Sequence, residues 1–236
     1  MNDFKEFRTD NFANGKISNE VLDAANPGVL AILSCCYYYE SVLLKTTAEG
    51  HPWVYTNSNQ WAPQKGPFDC ILYSGKHGVN CAMPANWVMM DMGVMSSDMR
   101  FWGNREGGFQ NLDIVGGCIG QCFDIIDRTE SPAVFSELFE NGEVKPGDIF
   151  LTFGHTFIYL GDKLFFAAGH DGKWHEVENP PTEDPRKANF DSWINEYENC
   201  GNRKCRITWQ IRAKDGFIPR FYRNAAGKLV FNPMLK

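Results

Sequence analysis

The chain has 236 residues, a formal net charge of −6, 43% hydrophobic and 22% charged residues. That is long enough for one large domain, or two small ones, with a full core, and the balance excludes a disordered chain. The acidic charge argues against nucleic acid as the main partner, because phosphate binding needs a basic face.

Residues 1–25 read as a leader with short helical pieces. Met1 to Asn19 is polar and lacks the apolar core of a secretory signal. Asn26-Pro27 is a helix start, with Asn as N-cap and Pro in the first helical position. The helix is expected to run to about Lys45. Its apolar stretch from Val29 to Leu44 is interrupted by Glu40, Ser34 and Ser41. That pattern suits a buried helix better than a membrane span, so no span is expected.

Residues 46–80 are punctuated by Gly50, Pro52, Pro63, Gly66, Pro67, Gly75 and Gly78 and read as loop. A helix is expected from Cys81 to Met92, capped by Asn80, with Pro84 in its first turn and Gly93 at its stop. Ala85, Val88, Met89 and Met92 give it one apolar face. Pro132 to Glu140 reads as a short helix.

From Lys145 the texture changes to apolar runs broken by turn residues. Strands are expected at about 148–153, 155–160 and 163–168, paired antiparallel through tight turns. Asp191 to Tyr197 reads as a short helix. In Arg206 to Arg212, Ile207, Trp209 and Ile211 alternate with polar residues as in a half-buried strand. A last hairpin is expected within Phe221 to Phe231. The order of elements predicts a single α+β domain with N-terminal helices packed on one side of an antiparallel sheet.

Eight cysteines stand at 35, 36, 70, 81, 118, 122, 200 and 205. The chain is too long and too sparse in Cys for a disulfide scaffold, so reduced thiols are expected. The pairs Cys118/Cys122 and Cys200/Cys205 lack the C-x2-C spacing and a nearby His, and no metal site is expected.

Cys81 differs from the others because it stands at a predicted helix start. The positive end of a helix dipole favours a thiolate, and an imidazole within reach can take the proton. The candidate bases are His51, His77, His155, His170 and His175. His155 opens a strand and can face a helix packed across the sheet. His170 and Asp171, at the end of the next strand, are the polar residues placed to orient its ring.

The segment "NCAMPANWVMMDMGVM" followed by "KPGDIFLTFGHTFIYLGDKLFFAAG" resembles the NlpC-type cell-wall cysteine peptidases, compact relatives of papain. In that family a nucleophile of the type "(D/N)C(S/A)xxxxW" opens a helix. The base begins a strand of the type "H-x-x-I-Y-x-G" after a "PGD" turn. Cys81 corresponds to the nucleophile, Pro146-Gly147-Asp148 to the turn, and His155 with Ile158, Tyr159 and Gly161 to the base strand. Tyr55, in "WVYTNS", corresponds to a tyrosine that lines the family's substrate cleft. The resemblance covers about residues 27–213. It implies a papain-like core and hydrolysis of an amide bond in the peptide stem of peptidoglycan, through a thioester on Cys81, with no cofactor. It also implies action at the cell wall, so a chain without a visible signal is expected to stay cytoplasmic in its producing cell or be released or secreted by another route.

One position departs from the pattern. The family's third polar residue, about twelve positions after the base, falls here on Ala167. Two alternatives stand beside wall hydrolysis, the first because nothing in the sequence fixes the acceptor and the second because of Ala167. The core could act on a protein or other non-wall substrate as a peptidase or acyl transferase, or it could be a degraded binding module.

Overall fold

In a computed structural model, residues 17–50, 53–55, 77–79, 81–94, 119–152, 155–167, 194–197, 201–224 and 226–232 are described. The chain opens with α1 (Asn19–Ala24) and α2 (Pro27–Ala48). The Asn26 side chain accepts from the Val29 N–H at 2.9 Å, which caps α2. Most of α2 is buried. By length and composition alone it could cross a bilayer, but it packs inside the fold.

Strands β1 (Trp53–Tyr55) and β2 (His77–Val79) form a small parallel pair within the stretch expected to be loop. Helix α3 (Ala82–Asp91) follows. It ends in a Schellman motif: Gly93, at φ +73°, donates to Met90, and Val94 donates to Met89.

The main sheet has seven strands: β3 (Phe123–Asp127), β4 (Ala133–Val134), β5 (Ile149–Thr152), β6 (Thr156–Gly161), β7 (Leu164–Phe166), β8 (Ile194–Glu196) and β9 (Arg206–Ala213). Their order is β3-β9-β5-β6-β7-β8, with β4 also on β9, and all of their pairings are antiparallel. A short helix, α4 (Phe135–Glu140), leaves β4. The hairpin β10 (Phe221–Arg223) and β11 (Leu229–Phe231) closes the described chain, as expected. The described residues thus form helices packed on an antiparallel sheet, an α+β arrangement.

Turn chemistry fixes the hairpins. Asp162 and Lys163, both at positive φ, join β6 to β7 in the two-residue turn that matches strand twist. Gly147 in the Pro-Gly-Asp turn sits at φ +84°, and a Cβ there would press on Val29 of α2 at 3.2 Å. Asp148 is fully buried behind it. Arg212 donates to it at 2.8 and 2.6 Å, and Gln210 at 2.8 Å. Burial pushes the Asp148 carboxyl up, and the Arg212 hydrogen bonds work against that rise.

Three expectations are corrected. Residues 194–196 form a strand rather than a helix. Ile194 enters one core cluster and Tyr197 another. Two residues three apart lie on opposite faces of a strand but share a face on a helix. The sheet is also covered on both faces, not one. Against α2 and α3 it presents Ile149, Leu151, Ile158, Leu160, Phe166 and Ile211. Its other face holds Phe150, Phe157, Tyr159 and Phe165 around Phe135 of α4. Finally, Ile207 does not share a face with Ile211. The β5–β9 register shifts, with Leu151 opposite Trp209 but Thr152 opposite Ile207. Thr208 is the extra residue of a β-bulge, and the bulge turns Ile207 into the aromatic cluster.

Candidate functional site

Cys81 precedes the first turn of α3 as its N-cap residue, with helical φ −63° and ψ −29°. Its side chain makes no capping bond, and Asn80, the expected cap, lies outside the described residues. The thiol is reduced, 9% exposed, and belongs to the helical-face core. Two residues earlier, Val79 pairs with Tyr55, so the Tyr55 backbone is in register with the approach to Cys81.

The rest of α3 is firmly seated. Trp87 lies against Tyr39 of α2 at 5.2 Å between centroids. Asp91, the last residue of α3, accepts from the Tyr39 hydroxyl at 2.8 Å and from Arg223 of β10 at 2.7 and 2.9 Å. Arg223 also lies over the Tyr38 ring at 3.9 Å. Burial and the Asp91 carboxylate push the Tyr39 phenol up. Burial pulls the Arg223 guanidinium down, but its hydrogen bonds to Asp91 outweigh that and push it up overall. This buried fork joins both helices to the C-terminal hairpin.

Helix α3 packs against β6, and His155 is the residue immediately before that strand. The His155 backbone is held at both ends by Thr152. Its N–H donates to Thr152 Oγ1 at 3.0 Å, and its carbonyl accepts from the Thr152 N–H at 2.9 Å. The side chain is 9% exposed, and its ring stacks on Phe157 at 5.7 Å and 29°. Phe157 belongs to the aromatic face, whereas Cys81 belongs to the helical face. The fold therefore packs the thiol-bearing helix on the strand that His155 introduces, with the His155 ring stacked on the aromatic side. Position 155 immediately precedes the first residue of β6, and its ring shares the aromatic side with Phe157.

Ala167 is 2% exposed in the aromatic cluster, on the face to which the His155 ring is turned. It follows Phe166, which pairs with Ile158 at that end of the β6–β7 ladder. An apolar methyl thus occupies the position where the resemblance calls for a polar residue. His170 and Asp171 lie outside the described residues.

Cys35 and Cys36 are fully buried in α2, and burial pushes both thiols well up, which makes them poor nucleophiles. Among the described residues, no group of three or more His, Cys, Asp or Glu could hold a metal ion. The sequence reading missed Thr152 and Thr208. A threonine three residues before a strand-opening histidine is a local hint for the first, whereas the bulge at Thr208 carries no sequence mark of its own. The chain matches no protein-family model, no curated protein and no solved structure.

Proposed function

We propose that this chain is a cysteine hydrolase with a papain-like core that cleaves an amide bond in bacterial cell-wall peptide. The observation that carries the reading is the packing of α3, headed by Cys81, on β6, introduced by His155. The order of the motifs in sequence supports it further. In this reading the His155 imidazole takes the Cys81 proton, and the thiolate adds to the substrate carbonyl carbon. The Cys81 backbone N–H, at the positive end of α3, stabilises the oxyanion. The amine leaves with the proton held by His155, and a thioester remains. Water, deprotonated by His155, then attacks the thioester, releasing the acid and restoring the thiol. The reading requires the His155 ring to reach round the end of β6 to the helical side.

A second reading is favoured by Ala167 and by the stacking of His155 on Phe157. It is a binding module that keeps the fold without catalysis. Incubation with purified muropeptides separates the two. The hydrolase reading predicts new amine-terminated fragments that disappear in Cys81→Ala. Intact muropeptides together with a rapidly alkylated Cys81 would reject the wall as substrate and leave a peptidase or transferase on another acyl donor. Intact muropeptides with an ordinary Cys81 would leave the binding module.

A further inference from the structure

Two buried threonines, Thr152 at the end of β5 and Thr208 on the neighbouring β9, lie beside the start of β6. Thr152 ends β5 and is 2% exposed. Its hydroxyl accepts the His155 N–H while its own N–H binds the His155 carbonyl. Those two bonds fix the His155 Cα in place and leave χ1 and χ2 as the means by which the ring moves.

The neighbouring strand is adjusted at the same point. The register of β9 slips between Leu151 and Thr152, and the extra residue is Thr208, 1% exposed. Its hydroxyl donates to the Leu151 carbonyl at 3.1 Å. A bulge interrupts the ladder and bends the strand locally, and bulges serve to re-aim side chains. Here the bulge lies beside the residue that holds His155, and its buried hydroxyl satisfies the carbonyl just before Thr152. In this structure the ring rests on Phe157, and rotation about χ1 and χ2 from that fixed Cα is what brings it toward α3.

We infer that Thr152 is a positioning residue for His155, with the Thr208 bulge setting the end of β5 from which it acts. This rests on the cysteine hydrolase reading, in which His155 draws the proton from Cys81. A base displaced by a fraction of an ångström transfers a proton poorly, so the effect appears at the thiol and not only in stability.

The test is the pH profile of iodoacetamide alkylation at Cys81, followed by peptide mass spectrometry on the full-length chain. Cys122 is the comparator because it is only partly buried. Three variants are compared with the parent: Thr152→Ser, which keeps the hydroxyl, Thr152→Val, which removes it at nearly the same volume, and Thr208→Val. Circular dichroism confirms that each is folded. Thr152→Val is expected to slow Cys81 alkylation at neutral pH by about 10-fold to 100-fold and to move the profile to higher pH. Thr152→Ser is expected to retain the parent profile. Thr208→Val is expected to shift the profile in the same direction by less, and it carries the test if Thr152→Val fails to fold. Unchanged profiles in the folded valine variants overturn the inference while leaving the nucleophile intact. Equal losses in Thr152→Ser and Thr152→Val also overturn it, because the hydroxyl would not be responsible. A parent Cys81 no faster than Cys122 rejects the hydrolase reading itself, and the inference falls with it.

Discussion

The two faces of the main sheet are built from different chemistry. The helical face mixes aliphatic residues, methionines and thiols with dispersed rings such as Trp87, Phe123 and Phe166, and it is anchored by a buried polar fork, Tyr39–Asp91–Arg223. The opposite face is dominated by aromatic rings, with Leu138, Ala167, Cys205 and Ile207 filling in among them. Phe135 meets Phe150, Phe157 and Phe165 edge-on at 5.1–5.3 Å, and Phe139 stacks on Tyr197 at 4.5 Å. Edge-to-face rings gain energy beyond the area they bury, so a short helix can close this face with one central ring. The helical face instead holds a cysteine at a helix start. The difference teaches how the sheet divides its chemistry: a thiol heads the helix on one face, while the His155 ring lies with the aromatic rings of the other.

The largest effect expected from breaking this division is at the aromatic centre. Phe135→Ala leaves a cavity among three rings and should cost about 4 kcal/mol of stability. If the aromatic face is structural, chemical denaturation will show that loss, while folded molecules keep the parent rate of Cys81 alkylation.

The helical face breaks at its polar fork. Arg223→Met leaves the buried Asp91 carboxylate without its guanidinium and should cost about 3 kcal/mol, because one partner of a buried pair is removed. Thermal unfolding followed by circular dichroism measures this. The fork holds the far end of α3, so the loss is expected in stability first.

A third variant sharpens the account of the sheet itself. Arg212→Met leaves Asp148 buried without its guanidinium and should cost about 2 kcal/mol at neutral pH. Burial already pushes the Asp148 carboxyl up, and loss of Arg212 removes what opposes that rise. A carboxyl whose folded pKa is raised binds its proton more tightly in the folded state. The Asp148 contribution is therefore most favourable below the unfolded carboxylate range and is lost as pH rises through the folded value, so the variant's deficit relative to the parent is smallest in acid and grows with pH. Denaturant midpoints across that range check the sign. The smallest effect is at a helix end. Asn26→Ala removes the cap of α2 and should cost about 1 kcal/mol, read as a small drop in melting temperature.

Much of this arrangement was legible in the chain because short-range chemistry marks it. Asn26-Pro27 and Gly93 mark two helix ends, and Gly161-Asp162 marks the β6–β7 turn. Each acts through a cap or a positive φ that its residue type favours. Longer-range features were not legible. Ile207 obeys the same alternation as Ile211 in sequence and changes face only because Thr208 bulges against β5. The strand at 194–196 is set by pairing with β7, which no local pattern announces. At the candidate site, the sequence pairs Cys81 with His155 by motif order. That His155 stacks on Phe157 and is pinned by Thr152 follows from register, which only the assembled sheet defines.

The central claim is that His155 activates Cys81, and the rate of iodoacetamide alkylation at neutral pH tests it most directly. In the parent chain Cys81 should react about 10-fold or more faster than Cys122, as expected of a thiol held substantially as thiolate. His155→Ala should reduce Cys81 to the rate of an ordinary thiol while Cys122 is unchanged. A Cys81 that reacts no faster than Cys122, or one whose rate is indifferent to His155→Ala, would contradict the account.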